Sequence, residues 1–309
     1  MFYSIDHASI LSASSSPSSS GTCKCEGAVL MDDPMKGDVL SADRYHTKMF
    51  ACNGLLCLNL NGDRTLILWN PYTKESKKIE LPSCVLWPAA KGYGFGYDSS
   101  INDYKFVYIV WNEVNVYMLG SDLWRRVNTT TTCNFSYDGL HFNGVLHWLG
   151  TIVTRERTKL IVAFDLSSET YMNLHFPEET ITLHADGNVY FKLQVLGDSL
   201  CLVCGLLGRV GRVDVWVIQN YGVRESWIKK FTTTEADITR HPFFLEFHWS
   251  FDNGEILVQV QQQFFLYDQE NDRVRWLNIN ATDDNFSCVK SKSDVESLVS
   301  LTCNRNLFI

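Results

Sequence analysis

The chain has 309 residues, 45% hydrophobic, 13% aromatic and 20% charged, a globular composition long enough for two modest domains or one large all-β domain. Its 27 basic and 35 acidic residues leave a net charge of −8, which argues against nucleic acid or an anionic membrane as partner. No apolar run approaches the ~20 residues that a helix needs to span a bilayer.

The N-terminus, "MFYSIDHASILSASSSPSSS", has no basic stretch and places Asp6 and His7 ahead of any apolar core. It reads poorly as a signal peptide. Strands are expected near residues 2–6 and 28–31, and the Ser-rich residues 12–21 read as a flexible surface loop. Ten cysteines would suit a disulfide framework only in a much smaller protein. Cys52, Cys57, Cys201 and Cys204 fall inside apolar strand-like runs, where a free thiol packs as a small hydrophobe. A reducing cytosol or nucleus is the expected compartment.

From residue 49 onward, short runs of Val, Ile, Leu, Phe, Tyr and Trp are punctuated by Gly, Asn, Asp and Ser. Long 3.6-residue periodicity is missing, so short strands are expected to dominate. "NGLLCLNL" at 53–60 returns as "NGVLHWLG" at 143–150, "GDSLCLVC" at 197–204 and "NGEILVQV" at 253–260. Each is a hairpin signal, because glycine takes positive φ without strain. A second strand–turn–strand pattern follows each time, with turns opening near Asn70, Leu119, Asp165, Gln219 and Asp268, at intervals of 49, 46, 54 and 49 residues. An aromatic recurs after the turn at Trp124, Tyr171, Trp227 and Trp276. A four-stranded unit at this period is the signature of β-propeller blades. Five units lie between about 49 and 279. A sixth is expected from residues 294–301 together with the N-terminal strands, closing the ring and removing exposed edges. The expected fold is therefore an all-β, six-bladed propeller over 49–309, preceded by an N-terminal segment, 1–48, that holds the closing strands and the Ser-rich loop. The third blade is expected to have strands near 139–143, 145–151, 159–166 and 170–176.

These residues resemble the plant F-box-associated domain, found in the F-box and F-box/kelch proteins that supply substrate recognition to cullin-based ubiquitin ligases. The matching landmarks are Cys52-Asn53-Gly54-Leu55-Leu56-Cys57, Trp69-Asn70-Pro71-Tyr72-Thr73-Lys74-Glu75, and Tyr93-Gly94-Phe95-Gly96-Tyr97-Asp98 followed by Asn102-Asp103-Tyr104-Lys105. They continue with Asn143 to Trp148, Ala163-Phe164-Asp165-Leu166 with Glu169, Val215-Trp216-Val217 followed by Glu225-Ser226-Trp227, and Val295 to Leu301. Asp32-Asp33-Pro34 looks like the family's stretch before the first blade. In order, these cover most of 28–301. The resemblance implies a non-catalytic protein-binding module that delivers a substrate protein, of unstated identity, for ubiquitination. The family's F-box, a helical module that binds the Skp adaptor, has no counterpart in residues 1–48. Skp-type adaptor and cullin are therefore expected only where an F-box is supplied.

Residue types that carry chemistry were weighed against packing roles. In a strand, Cys201 and Cys204 would point to opposite faces, so they are expected in the core and not on a metal. Cys23 and Cys25 have no clear second pair for a zinc site. His147, and with it His141 and His248, is read as a hydrogen-bonded core or barrel-facing histidine, not a catalytic base. "GYGFGYD" at 92–98 lacks the following helix and Lys-Ser/Thr of a phosphate loop, so its glycines are expected to let aromatics pack over bare backbone. No metal or cofactor is expected. The rival readings are a truncated family member without ligase function and a propeller hydrolase of glycosidase type, with carboxylates converging on the channel. Asp98, Asp165 and Asp268 are the hydrolase's candidates, each at a turn where capping suffices. Partner contacts are expected in the longer loops of one face, at Trp87, Arg155, Arg157, His184, Arg209, Arg212, Arg240 and His241, because Arg forks pair carboxylate and phosphate and exposed Trp anchors interfaces.

Overall fold

The Asn-Gly pairs fold the chain back on itself. Asn53 and Gly54 have φ of 47° and 80°, and Asn143 and Gly144 have 49° and 74°. Two successive left-handed residues make a turn whose twist matches that of the flanking strands. The computed structural model describes residues 2–14, 22–25, 28–32, 34, 48–59, 64–82, 90–110, 113–129, 133–135, 138–152, 158–183, 189–206, 211–279 and 297–301.

The N-terminal elements are β1 (Phe2–Ser4), α1 (His7–Ser14), β2 (Thr22–Cys25) and β3 (Val29–Met31). Blade 1 comprises β4 (Lys48–Cys52), β5 (Leu55–Asn59), β6 (Thr65–Trp69) and β7 (Ser76–Glu80). Blade 2 comprises β8 (Ala90–Asp98), β9 (Asp103–Val110), β10 (Glu113–Met118) and β11 (Leu123–Val127). Blade 3 is built from β12 (Cys133–Phe135), β13 (Leu140–Phe142), β14 (Val145–Ile152), β15 (Lys159–Asp165) and β16 (Tyr171–His175). After α2 (Glu178–Leu183), blade 4 follows as β17 (Val189–Leu196), β18 (Ser199–Leu206), β19 (Arg212–Ile218) and β20 (Trp227–Thr233). Then come α3 (Ala236–Thr239) and blade 5, with β21 (Leu245–Ser250), β22 (Glu255–Val260), β23 (Gln263–Asp268) and β24 (Arg273–Ile279). These antiparallel sheets are the blades of a β-propeller.

Five blades are present among the described residues, not the six expected. The pieces foreseen for a sixth are used elsewhere. β1 and β3 pair with each other, Phe2 opposite Met31, and β2 runs parallel to β24 as an added outer strand. Residues 297–301 form no strand. Instead the Nδ2 of buried Asn70 donates to the carbonyls of Ser297 and Val299 at 3.0 and 2.8 Å, and the Leu301 N–H donates to Glu75 at 2.6 Å. The Ser-rich stretch also begins inside α1, whose first turn is capped by Asp6 accepting from the Ser9 N–H at 2.6 Å. Residues 15–21 lie outside the described residues.

The chain divides into two compact units, Met1–Asp33 with Pro177–Ser291 and Pro34–Phe176 with Lys292–Ile309. Blades 1 to 3 belong to the second unit. The core of blades 1 and 2 joins Phe50, Tyr93, Phe95, Tyr104, Phe106 and Tyr108 with Leu55, Leu66 and Leu68. The glycines of β8 admit neighbours from blade 3, but aliphatic and imidazole groups take the room expected for aromatics. A Cβ on Gly94 would stand 2.9 Å from Leu146, and one on Gly96 would stand 2.4 Å from the His141 ring. Blades 4 and 5 share a core of Val203, Val213, Val215, Ile256, Val258 and Phe265.

A recurring side-chain clamp joins successive blades. Five residues after Trp69, Tyr117, Phe164 and Tyr267, the turn into the outer strand holds Lys74, Asp122, Glu169 and Asp272, all at φ between 46° and 62°. The three acids among them reach the preceding blade. Asp122 pairs with Lys77 at 3.0 Å, Glu169 pairs with Lys105 at 2.9 Å and with Arg125, and Asp272 accepts from Thr233 Oγ1 at 2.6 Å. Lys105 is also 2.8 Å from Asp98 and donates to the Leu166 carbonyl at 2.6 Å, with side chains only 3% and 1% exposed in the Lys–Asp pair. Burial pushes the Asp98 carboxyl up, but the Lys105 ammonium and two donors on Ser100 outweigh it and hold it below the usual carboxylate range. Removing one member of such a pair strands the other charge. Asp98→Ala should therefore cost about 3 kcal/mol, read as a lowered urea midpoint. Glu113→Ala, which breaks the exposed Arg126–Glu113 pair, should cost below about 1 kcal/mol.

Candidate partner-binding face

In blades 4 and 5 two connections meet because glycines let them. A Cβ on Gly211, just before β19, would lie 2.3 Å from Thr239 Oγ1 in α3, and one on Gly205 would lie 2.9 Å from Pro242. The β18–β19 end and the β20–β21 connection are thus packed against each other, with α3 followed by a short 3-10 turn at Pro242–Phe244. On this face stand Arg212 and Arg240, both exposed, and His241, half-buried. Phe243 and Phe244 are 45% and 54% exposed, an unusual position for two adjacent large apolar rings in a fixed turn. Tyr190 of β17 braces them, its ring centroid 4.2 Å from that of Phe243 and its hydroxyl donating to the Phe243 carbonyl at 3.3 Å. Burial, with Glu246 adding negative charge, pushes the Tyr190 phenol up to about 12, so it remains a donor.

The cations here differ in how far they are committed. Arg212 donates from Nε and a terminal nitrogen to the two Asp214 oxygens at 3.0 and 3.1 Å. Asp214 also accepts from Thr232 Oγ1 at 2.6 Å and lies 3.3 Å from Lys229. Burial raises its pKa, yet Arg212, Thr232 and Lys229 together hold it below the usual range. Arg240 closes α3 through its backbone N–H to Ala236 and presents its side chain outward.

Of the eight residues expected on the partner face, Arg212, Arg240 and His241 are brought together by this packing. Trp87, Arg155, Arg157, His184 and Arg209 lie outside the described residues. Sequence reasoning missed Phe243, Phe244 and Tyr190. The signal was present in "HPFF" at 241–244, where proline stops the chain just before two rings.

The groups weighed for catalysis hold structural positions. Asp165 accepts from the Ser167 and Ser168 N–H groups at 2.9 and 2.7 Å, and Asp268 accepts from those of Glu270 and Asn271 at 3.0 and 3.2 Å. Cys201 and Cys204 are both buried free thiols, and burial pushes the Cys201 thiol up. Among the described residues no three His, Cys, Asp or Glu side chains converge as metal ligands do.

Comparison with known proteins accounts for this architecture. Residues 3–306 match the family model described as the F-box associated beta propeller domain. The chain belongs to that family. Among its Arabidopsis thaliana relatives, F-box/kelch-repeat protein At3g23880 is 27% identical over 282 residues, covering 85% of this chain and 71% of that protein. F-box protein CPR1 is 29% identical over 303 residues, covering 84% and 70%. F-box protein At3g07870 is 30% identical over 220 residues, covering 59% and 49%.

In this F-box-associated propeller the buried histidines set an acid limit. His141 lies with Nδ1 3.4 Å from Cys52 Sγ and accepts at Nε2 from the Tyr97 N–H at 3.4 Å. His147 contacts the Leu140 carbonyl through Nδ1 at 3.3 Å. Burial lowers both to about 4. A proton therefore binds the unfolded chain, where His titrates near 6.5, more readily than the folded one. Stability should be intact above about pH 6.5 and fall steadily toward pH 4, by up to about 3 kcal/mol per histidine. Melting temperature followed across that window should drop, and His147→Gln should flatten the slope.

Proposed function

We propose that this propeller is the substrate-recognition module of an SCF-type ubiquitin ligase. It holds a substrate protein without catalysing a reaction on it, and it acts in the cytosol or nucleus. A Skp-type adaptor and a cullin join where an F-box is connected to it. The substrate rests on the face formed by Arg212, Arg240, His241, Phe243 and Phe244, and Trp87, Arg155, Arg157, His184 and Arg209 are proposed as further contacts. The observation that carries this reading is the exposed Phe243–Phe244 pair, fixed in place by Tyr190 and the close-packed connections, in a chain whose relatives are named F-box proteins. Aromatic anchors beside an arginine are the residue types that dominate protein–protein binding energy. The candidate carboxylates Asp98, Asp165 and Asp268 are already taken by ion pairing or turn capping, which favours binding over hydrolysis.

Affinity capture from plant extract, with an F-box grafted to the chain, tests the proposal. Adaptor and cullin should be recovered together with a substrate. Phe243→Ala/Phe244→Ala/Arg240→Glu should retain adaptor and cullin while weakening substrate capture roughly thirtyfold, the effect of losing about 2 kcal/mol. Substrate recovery equal to that of the parent chain would rule out this face.

A further inference from the structure

The outer strands can be compared at a single register position. Opposite Leu68, Val116, Ala163, Trp216 and Leu266 of the neighbouring strand stand Lys77, Arg125, Met172, Lys229 and Arg275. Four of the five are cations. The exception is β16, whose sequence Tyr-Met-Asn-Leu-His carries neither lysine nor arginine. β24 is covered along its outer side by β2, Thr22–Cys25 pairing in parallel with Trp276 to Ile279. Among the described residues, the strands that end their sheets in blades 1 to 4 are therefore β7, β11, β16 and β20.

A sheet edge presents unpaired backbone groups, and charged side chains are the usual means of keeping another strand away. Antiparallel pairing of each edge with a copy of itself shows the difference. Centred on the axis, β7 would set Lys78 against Lys78, β11 Arg125 against Arg125, and β20 Lys230 against Lys230. Like charges directly opposite one another are destabilising. Self-pairing of β16 sets Asn173 against Asn173, Met172 against Leu174 and Tyr171 against His175, with no such clash. Met172 is 44% exposed, and Asn173 and His175 are exposed as well. The β2–β24 pair shows that the outer edge of a blade in this chain accepts another strand.

We propose that β16 is a self-association edge, on which a second copy of this chain places its own β16 antiparallel about a two-fold axis through Asn173. The contact is isologous, as closed dimers require, and joins two third blades into one continuous sheet. A five-residue strand pair is a small interface, so the dimer is weak and reversible. This inference is independent of the proposed ligase role.

Sedimentation equilibrium of the full chain from ~1 μM to ~1 mM tests it. The parent chain should show a monomer–dimer equilibrium. Asn173→Lys and Asn173→Asp, each placing like charges across the axis, should each weaken dimerisation at least tenfold. An equimolar mixture of the two variants should recover it, because Lys then faces Asp. A parent chain that stays monomeric throughout, variants that dimerise like the parent, or a mixture that fails to recover would each overturn the proposal.

Discussion

Strand pairing lies within each sheet apart from the Tyr93–Asp138 bridge, so side chains do most of the joining between blades, and in blades 2, 3 and 5 the acidic residue in the turn before the outer strand reaches the blade before it. A left-handed backbone at Asp122, Glu169 and Asp272 aims the carboxylate at the blade before it. Each finds different donors, Lys77 for the first, Lys105 and Arg125 for the second, Thr233 and Thr234 for the third. A partly buried carboxylate is costly unless paired. Glu169, with only 13% of its side chain exposed, therefore depends on Lys105 and Arg125 of the blade before it, whereas Asp122 is more than half exposed.

Packing between blades depends on the same asymmetry of large and absent side chains. Gly94 and Gly96 leave room in β8 for Leu146 and His141, and His141 thereby reaches across to Cys52. The inner strand of blade 3 is broken into β12 and β13, both pairing with β14. Between them Asp138 bridges to Tyr93 and pairs with Lys48 at 2.6 Å. The inner edges of blades 1 to 3 are joined by these contacts. Gly205 and Gly211 do the equivalent service in blade 4, where close approach to Pro242 and Thr239 stiffens a connection that carries two exposed rings. A stiff loop loses little entropy on binding.

Much of the fold was legible in the sequence. The strands of blade 3 at Leu140–Phe142, Val145–Ile152, Lys159–Asp165 and Tyr171–His175 fall where the Asn143-Gly144 turn and the apolar alternation put them, because turn chemistry and side-chain alternation are local. Cys201 and Cys204 are packing residues, and His147 is a core histidine, as strand geometry implied. The sixth blade was not legible correctly. Strands near both termini were foreseen, but which edge a short strand joins is decided by distant partners: β24 for Thr22–Cys25, and Asn70 with Glu75 for residues 297–301. The candidate face was legible only in part. Arg212 reads as a free fork until Asp214 is seen to hold it, and only the turn at Pro242–Phe244 shows that Phe243 and Phe244 are exposed.

The sequence by itself determined an all-β chain of repeated four-stranded units, since a period near fifty residues with paired hairpin turns admits few other architectures. Tertiary structure alone decided the number of blades, the pairing of turn acids with preceding blades, and which cations are held by neighbouring acids. Those outcomes depend on residues tens to hundreds of positions apart, such as Lys105 with Glu169 and Asn70 with Val299. No local pattern records a contact across that distance.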